Sequence, residues 1–113
     1  MKESTPTFIQ GIYPFTGAGY ESATLLDTHM VSPTKRSQLV YLRAGNSSDA
    51  LVVISLMREG VLMRLFPVGA KGAIHVPLAV VEDIFPGSKL DILVAAPTGA
   101  TGIVALDFGL VEI

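Results

Sequence analysis

From Ser37 to the C-terminus, short apolar runs alternate with clusters of turn formers, and no segment keeps a 3.6-residue period for three turns. Ser37–Ala44 is rich in β-formers and stops at Gly45-Asn46-Ser47-Ser48-Asp49. Leu51–Met57 is dense in Val, Ile and Leu; Arg58-Glu59-Gly60 reads as a hairpin turn, and Val61–Phe66 as the returning strand. Pro67 to Gly72 breaks the pattern, Ala73–Val76 resumes it, and Pro77–Ile84 is ambiguous between a loop and a helical turn. After the Pro86-Gly87 turn come strands over Lys89–Ala95 and Gly102–Ile113, separated by a second turn from Pro97. Ser22–Asp27 is a candidate first strand. Roughly seven or eight short strands, with turns about every 8 to 12 residues, predict an all-β chain folded as an antiparallel β-sandwich or jelly roll.

The first twenty residues are unlike the rest. They are rich in Gly, Pro and Thr, carry the spaced aromatics Phe8, Tyr13, Phe15 and Tyr20, and show no periodicity. The expectation is an extended N-terminal arm with the first strand over residues 1–27, and a sandwich domain over 28–113. Docking along the domain's own surface or across a neighbour would order such an arm.

The distribution of apolar residues between strand faces carries the functional expectation. A sandwich strand with one wet face alternates apolar and polar. Here Leu51, Val53 and Met57 share one face of their strand, while Val52, Ile54 and Leu56 share the other. Leu90, Ile92 and Val94 stand opposite Leu93 and Ala95. In the last strand Ile103, Ala105, Val111 and Ile113 oppose Val104, Leu106, Phe108 and Leu110. The surplus predicts cover by another copy or another protein, with Phe8, Tyr13, Phe15, Tyr20, Val104, Leu106, Phe108 and Leu110 as the interface residues. The alternative is that edge strands and the arm fold back over the outer face.

Composition narrows the classes. Of 113 residues, 50% are hydrophobic and 16% charged, which excludes a disordered tail, and the formal net charge of −2 predicts no attraction to nucleic acid. There is no cysteine, hence no disulfide, thiolate metal site or cysteine nucleophile. The longest uncharged apolar stretch, Ile92–Leu106, is interrupted by Pro97, Gly99 and Gly102, so no membrane span is expected. The polar Ser-Thr-Pro-Thr start does not read as a secretory signal, which predicts a soluble chain made in the cytoplasm.

Candidate chemistry is sparse. His29 and His75 lack a second ligand at metal-binding spacing, and His75, between Ile74 and Val76, reads as a surface or interface histidine. No G-x-S-x-G elbow is present. Asp107 interrupts an apolar strand and is expected to pair with Arg43 or Arg64, or to mark an interface contact. The Gly17-Ala18-Gly19-Tyr20 and Gly69-Ala70-Lys71-Gly72 clusters lack P-loop spacing, and Gly72 is expected at a positive-φ turn position. Asn46-Ser47-Ser48 has the form of a glycosylation sequon but sits among turn formers and reads as a turn. The expectation is a non-enzymatic protein with no cofactor, no metal, no nucleic acid and no membrane among its partners.

Val31-Ser32-Pro33-Thr34-Lys35-Arg36 before a strand, the turn Gly45-Asn46-Ser47-Ser48, the run Asp83-Ile84-Phe85-Pro86-Gly87-Ser88-Lys89-Leu90 and the closing Gly109-Leu110-Val111-Glu112-Ile113 form a pattern. It resembles that of small β-sandwich virion proteins of bacteriophages, such as capsid decoration proteins and tail-fibre modules. Ser-Pro-Thr-Lys stands where their Pro-Ala-Gly-Lys is usual. A fainter similarity, at Ala44-Gly45-Asn46, runs to the sensory rhodopsin transducer family. The first resemblance implies a capsid decoration (cement) protein, a homo-oligomer and most naturally a trimer. It would bind the major capsid protein on the virion surface through its N-terminal arm. The alternatives are a tail or connector component, or a ligand-binding or signalling β-sandwich, including a carbohydrate-binding module. The absence of tryptophan weakens the last, because such modules use an exposed aromatic platform.

Overall fold

The computed structural model describes residues 4–113, which form nine strands and no helix. In chain order they are β1 (Thr5–Thr16), β2 (Thr24–Met30), β3 (Ser37–Asn46), β4 (Val52–Arg58), β5 (Val61–Val68), β6 (Ala73–Pro77), β7 (Asp83–Ile84), β8 (Lys89–Ala95) and β9 (Thr101–Glu112). Every pairing is antiparallel. A five-stranded sheet runs β1-β9-β3-β6, with the short β7 beside the start of β3, and a four-stranded sheet runs β2-β8-β4-β5. The β4–β5 hairpin and the β6-to-β7 step stay within a sheet; every other connection crosses between sheets. This is the jelly-roll wrapping of an antiparallel sandwich.

Turn chemistry fixes the strand ends. Glu59 (φ 50°) and Gly60 (φ 77°) form the two-residue loop between β4 and β5, both with positive φ as a type I′ hairpin requires. In the β5–β6 connection the positive φ falls on Lys71 (49°) and not on the expected Gly72. Gly72 instead donates its N–H to the Gly69 carbonyl at 3.0 Å, closing the turn. Asn46 locks the same end of the sandwich. Its buried amide donates to the carbonyls of Ala50 (2.9 Å) and Gly69 (3.1 Å) and accepts from the Ser48 N–H (2.9 Å) and hydroxyl (2.8 Å). The apparent sequon is thus an interior turn.

Between the sheets lies one continuous core. β9 contributes Val104, Leu106, Phe108 and Leu110, β4 contributes Val52, Ile54 and Leu56, and β8 contributes Leu90, Ile92 and Val94, all buried. Phe108 meets Phe66 of β5 edge-to-face, with ring centroids 6.1 Å apart, which ties the sheets together at their centre.

Two sequence expectations are corrected here. Val104, Leu106, Phe108 and Leu110 do share a face, but it is the interior one, so they supply core and not interface. Residues 5–16 are no free arm: β1 is a full strand registered on β9 from Thr5↔Glu112 to Thr16↔Thr101 (the first three residues of the expected arm lie outside those described). Pro6 and Pro14 fit because β1 is an edge strand, where a missing N–H costs no ladder bond. β1 therefore extends the five-stranded sheet sideways and covers neither outer face.

Candidate functional surfaces

The outer faces of the two sheets are the surfaces left for function. On the four-stranded sheet, register aligns Leu25, Leu93, Ser55 and Leu65 in one row, and Thr28, Asp91, Met57 and Leu62 in the next. Val53 and Pro67 add a third apolar row. Leu25 and Leu65 are 57% and 54% exposed, and Leu62 and Met30 are also exposed. The charges along the β8 side of this face, Lys89 and Asp91, pair with each other at 3.6 Å. Bulges within β2 and β5 set this phase, turning Leu26 and Met63 toward the core while Leu25 and Leu62 before them face out.

The outer face of the five-stranded sheet has a different chemistry. A bulge at Val40 reverses the alternation of β3, so that Leu39 and Leu42 both face inward and Tyr41, Arg43 and Gly45 face out. Successive rows across β1, β9, β3 and β6 then read Phe8, Gly109, Tyr41, Pro77; Gln10, Asp107, Arg43, His75; and Ile12, Ala105, Gly45, Ala73. Tyr41 lies flat across Gly109, where a Cβ would overlap its ring. Asp107 is the hub. It accepts from Gln10 Nε2 (3.0 Å), from the Tyr41 hydroxyl (3.2 Å), and from Arg43 through both Nε (3.1 Å) and Nη2.

Burial acts to raise the Asp107 carboxyl, but the hydrogen bonds from Gln10, Arg43 and Tyr41, together with the Arg43 charge, outweigh it and hold the group below the usual carboxylate range. The same hydrogen bond and charge hold Arg43 above its ordinary value. Arg43 also sits 5.5 Å above the centre of the Tyr41 ring, and His75 meets that ring edge-on at 6.1 Å. Beside this cluster the small residues Gly45, Ala73 and Ala105 leave a shallow cleft of about 470 Å³, bounded by Arg43, His75 and Asp107. A second hollow of about 300 Å³ shares those small residues and continues to Ser47, Lys71 and Ile103.

A third feature closes the seam between β1 and β2. The Tyr13 hydroxyl donates to Asp27 Oδ2 at 2.8 Å, joining the edges of the two sheets. Burial, then the hydrogen bond to Asp27 and its charge, push the Tyr13 phenol up to about 12.

The residues expected to form an interface are not brought together. Phe15 is buried in the core with the four β9 residues, Tyr13 is half-buried at the seam, and Phe8 is exposed on the five-stranded face. Tyr20 is exposed at the end of the sandwich, its hydroxyl donating to the Leu51 carbonyl at 2.8 Å. Asp107 does pair with Arg43, while Arg64 pairs with Glu82 at 3.3 Å. His75 is exposed on β6, and His29 lies on β2. Beyond the Arg43–Asp107 pair, sequence reasoning missed that Gln10, Tyr41 and His75 join it, and missed Leu25, Leu62 and Leu65 as exposed groups. The dense run Val61-Leu62-Met63 with Leu65 was the available signal for the latter.

No family model and no curated protein matches the sequence. Solved structures do match in fold. The CBM36-1 domain of a multidomain xylanase from the hindgut metagenome of Trinervitermes trinervoides superposes with TM-score 0.60 at 16% identity, covering 95% of this chain and 96% of that one. A family 35 carbohydrate binding module from Clostridium thermocellum gives 0.53 at 14% identity, covering 94% and 97%. A chain from the structure of infectious bursal disease virus Gx strain gives 0.55 at 15% identity, covering 99% of this chain and 33% of the viral one. At such identities the likeness is one of fold: the chain is an antiparallel β-sandwich of the kind found both in carbohydrate-binding modules and in a virus.

Proposed function

We propose that this protein works by surface contact and not by catalysis, as a structural module that associates with copies of itself through the outer face of the four-stranded sheet. The observation that carries this reading is the chemistry of that face. The solvent side of an antiparallel sheet is ordinarily polar, whereas here Leu25, Leu93, Leu65, Val53, Met57 and Leu62 dominate it. A second copy is the fitting occupant. With Lys89 and Asp91 neutralising each other, the face presents no charge that a like face would repel. At antiparallel spacing and rise, four strands by seven residues span roughly 19 by 23 Å. That is a flat footprint of roughly 440 Å², about half of the ~800 Å² of accessible surface that a standard interface takes from each partner, so the contact belongs at the small end of specific interfaces. Such a module on a larger scaffold fits the virion role expected from the sequence, copies decorating a capsid and binding the major capsid protein, or a tail or connector component. A like-with-like contact gives two-fold pairs, so the expected trimer would need a second, different contact.

Light scattering on the purified chain tests this. The wild type is expected as a defined oligomer, and the double variant Leu65→Glu with Leu93→Glu as a folded monomer with an unchanged far-UV spectrum. A wild-type chain that stays monomeric at every concentration overturns the reading.

A second reading is favoured by the Asp107 cluster and the cleft beside it: a non-catalytic module that binds a saccharide on the five-stranded face, as the names of two structural neighbours describe for those proteins. The two readings use opposite faces and are compatible.

A further inference from the structure

Gly45 is an outward residue of the five-stranded face close to the end of β3, and the fold does not require it. Its φ is not in the positive range, and a Cβ built there meets nothing within 4 Å. A glycine inside a strand costs conformational entropy and packs nothing, and it commonly marks a place where another molecule approaches the backbone closely. What Gly45 does, flanked by Ala105 on β9 and Ala73 on β6, is leave a trough along β3. The trough runs from Arg43 to Ser47, four residues of extended chain or about 13 Å, and joins the two hollows already described.

Resting on the second reading above, we infer that this trough takes internal rings of an unbranched, neutral saccharide chain laid along β3. Polar groups stand at both ends and the floor between them is apolar. At one end, among the described residues, Arg43 keeps Nη1 uncommitted while Nε and Nη2 hold Asp107, and His75 makes no side-chain hydrogen bond. At the other, Ser47 accepts the Ile103 N–H at 2.8 Å, which leaves its own hydroxyl proton to donate. The charges cancel locally, Arg43 against Asp107 and Lys71 against Asp49 at 3.2 Å. An anionic ligand would meet the Asp107 carboxylate and a cationic one the Arg43 guanidinium. Hydroxyl groups, which donate and accept, suit both, and the apolar face of a sugar ring suits the Gly45, Ala73 and Ala105 floor. At about 13 Å the trough is longer than one sugar ring, so consecutive rings of a chain fill it where a monosaccharide does not.

The test is calorimetric titration of the full chain with cellohexaose, xylohexaose, mannohexaose and laminarihexaose, each beside its monosaccharide, repeated with Gly45→Val. At least one hexaose is expected to bind wild type, with its monosaccharide about tenfold weaker or more. Gly45→Val should lose that binding by about tenfold or more while melting no lower than wild type, since valine suits a strand better than glycine. If hexaose and monosaccharide bind equally, the extended-chain inference falls and the saccharide reading stands. Unaltered hexaose binding by Gly45→Val would place the site elsewhere and overturn the inference. If no sugar of the panel binds, the second reading falls with it.

Discussion

The two sheets pack their inner faces into the same core, yet their outer faces follow different rules. On the five-stranded sheet the rows around β3 hold small residues and one hydrogen-bonded polar cluster, with Phe8 and Ile12 exposed on the β1 edge, so the surface is hollow along β3, and charged groups are pinned in place. On the four-stranded sheet the outward rows hold large aliphatics and methionine, so the surface is raised and nearly without charge. The half-hydrophobic composition is thus not an oversized core. It is one core plus apolar groups exposed on both sheets, with the continuous apolar rows on the four-stranded one.

The largest expected effect separates inside from outside. Phe108→Ala removes a fully buried ring that contacts Phe66, and it should cost about 3–5 kcal/mol in urea unfolding. Leu65→Ala, on the outer face of the opposite sheet and half-exposed, should cost the isolated chain under about 1 kcal/mol and act on association instead. Similar losses at the two sites would mean that the four-stranded face is already covered within one chain.

That contrast also marks what the sequence could disclose. Strand ends were legible because Glu59-Gly60, Pro86-Gly87 and the Asn46 turn carry their own backbone chemistry. Face membership in β4, β8 and β9 was legible because alternation has a fixed period of two. Alternation cannot say which face is inside. Val104, Leu106, Phe108 and Leu110 were grouped correctly and yet assigned to partners, because Gly109 and Asp107 on their opposite face give that face its small and polar character only in company with Tyr41 and Arg43. Bulges were illegible too. The one at Val40 moves Tyr41 from the face of Leu39 to the outer one, and no local residue signals it. β1 was hidden because an edge strand tolerates the Pro6 and Pro14 that argue against a central one.

A smaller effect divides two glycines on the same face. Gly109→Ala puts a methyl into the Tyr41 ring, so the ring must leave Asp107, and the change should cost about 1–3 kcal/mol as overpacking does. Gly45→Ala meets open space and should be neutral or stabilising by up to about 1 kcal/mol. Thermal melts of both variants check the pair. If both destabilise alike, Gly45 serves the fold, and the trough loses its special status.

The smallest effect lies at the seam joining the two sheets. Tyr13→Phe removes the hydrogen bond to Asp27 and should cost about 0.5–1.5 kcal/mol near neutral pH. Its pH dependence is more telling. The folded chain holds the Tyr13 proton up to about 12, against 10.0 for an ordinary phenol, because burial and then Asp27 disfavour the phenolate. Between those values the unfolded chain has released a proton that the folded chain keeps, so stability falls as pH rises through that window and is unaffected by this group below it. Urea midpoints measured across the alkaline range should therefore drop more steeply for wild type than for Tyr13→Phe, the two curves converging as pH approaches 12. Parallel curves would show that β1 and β2 are not latched through this pair, and that the edge of the sandwich is held by the strand pairings on either side alone.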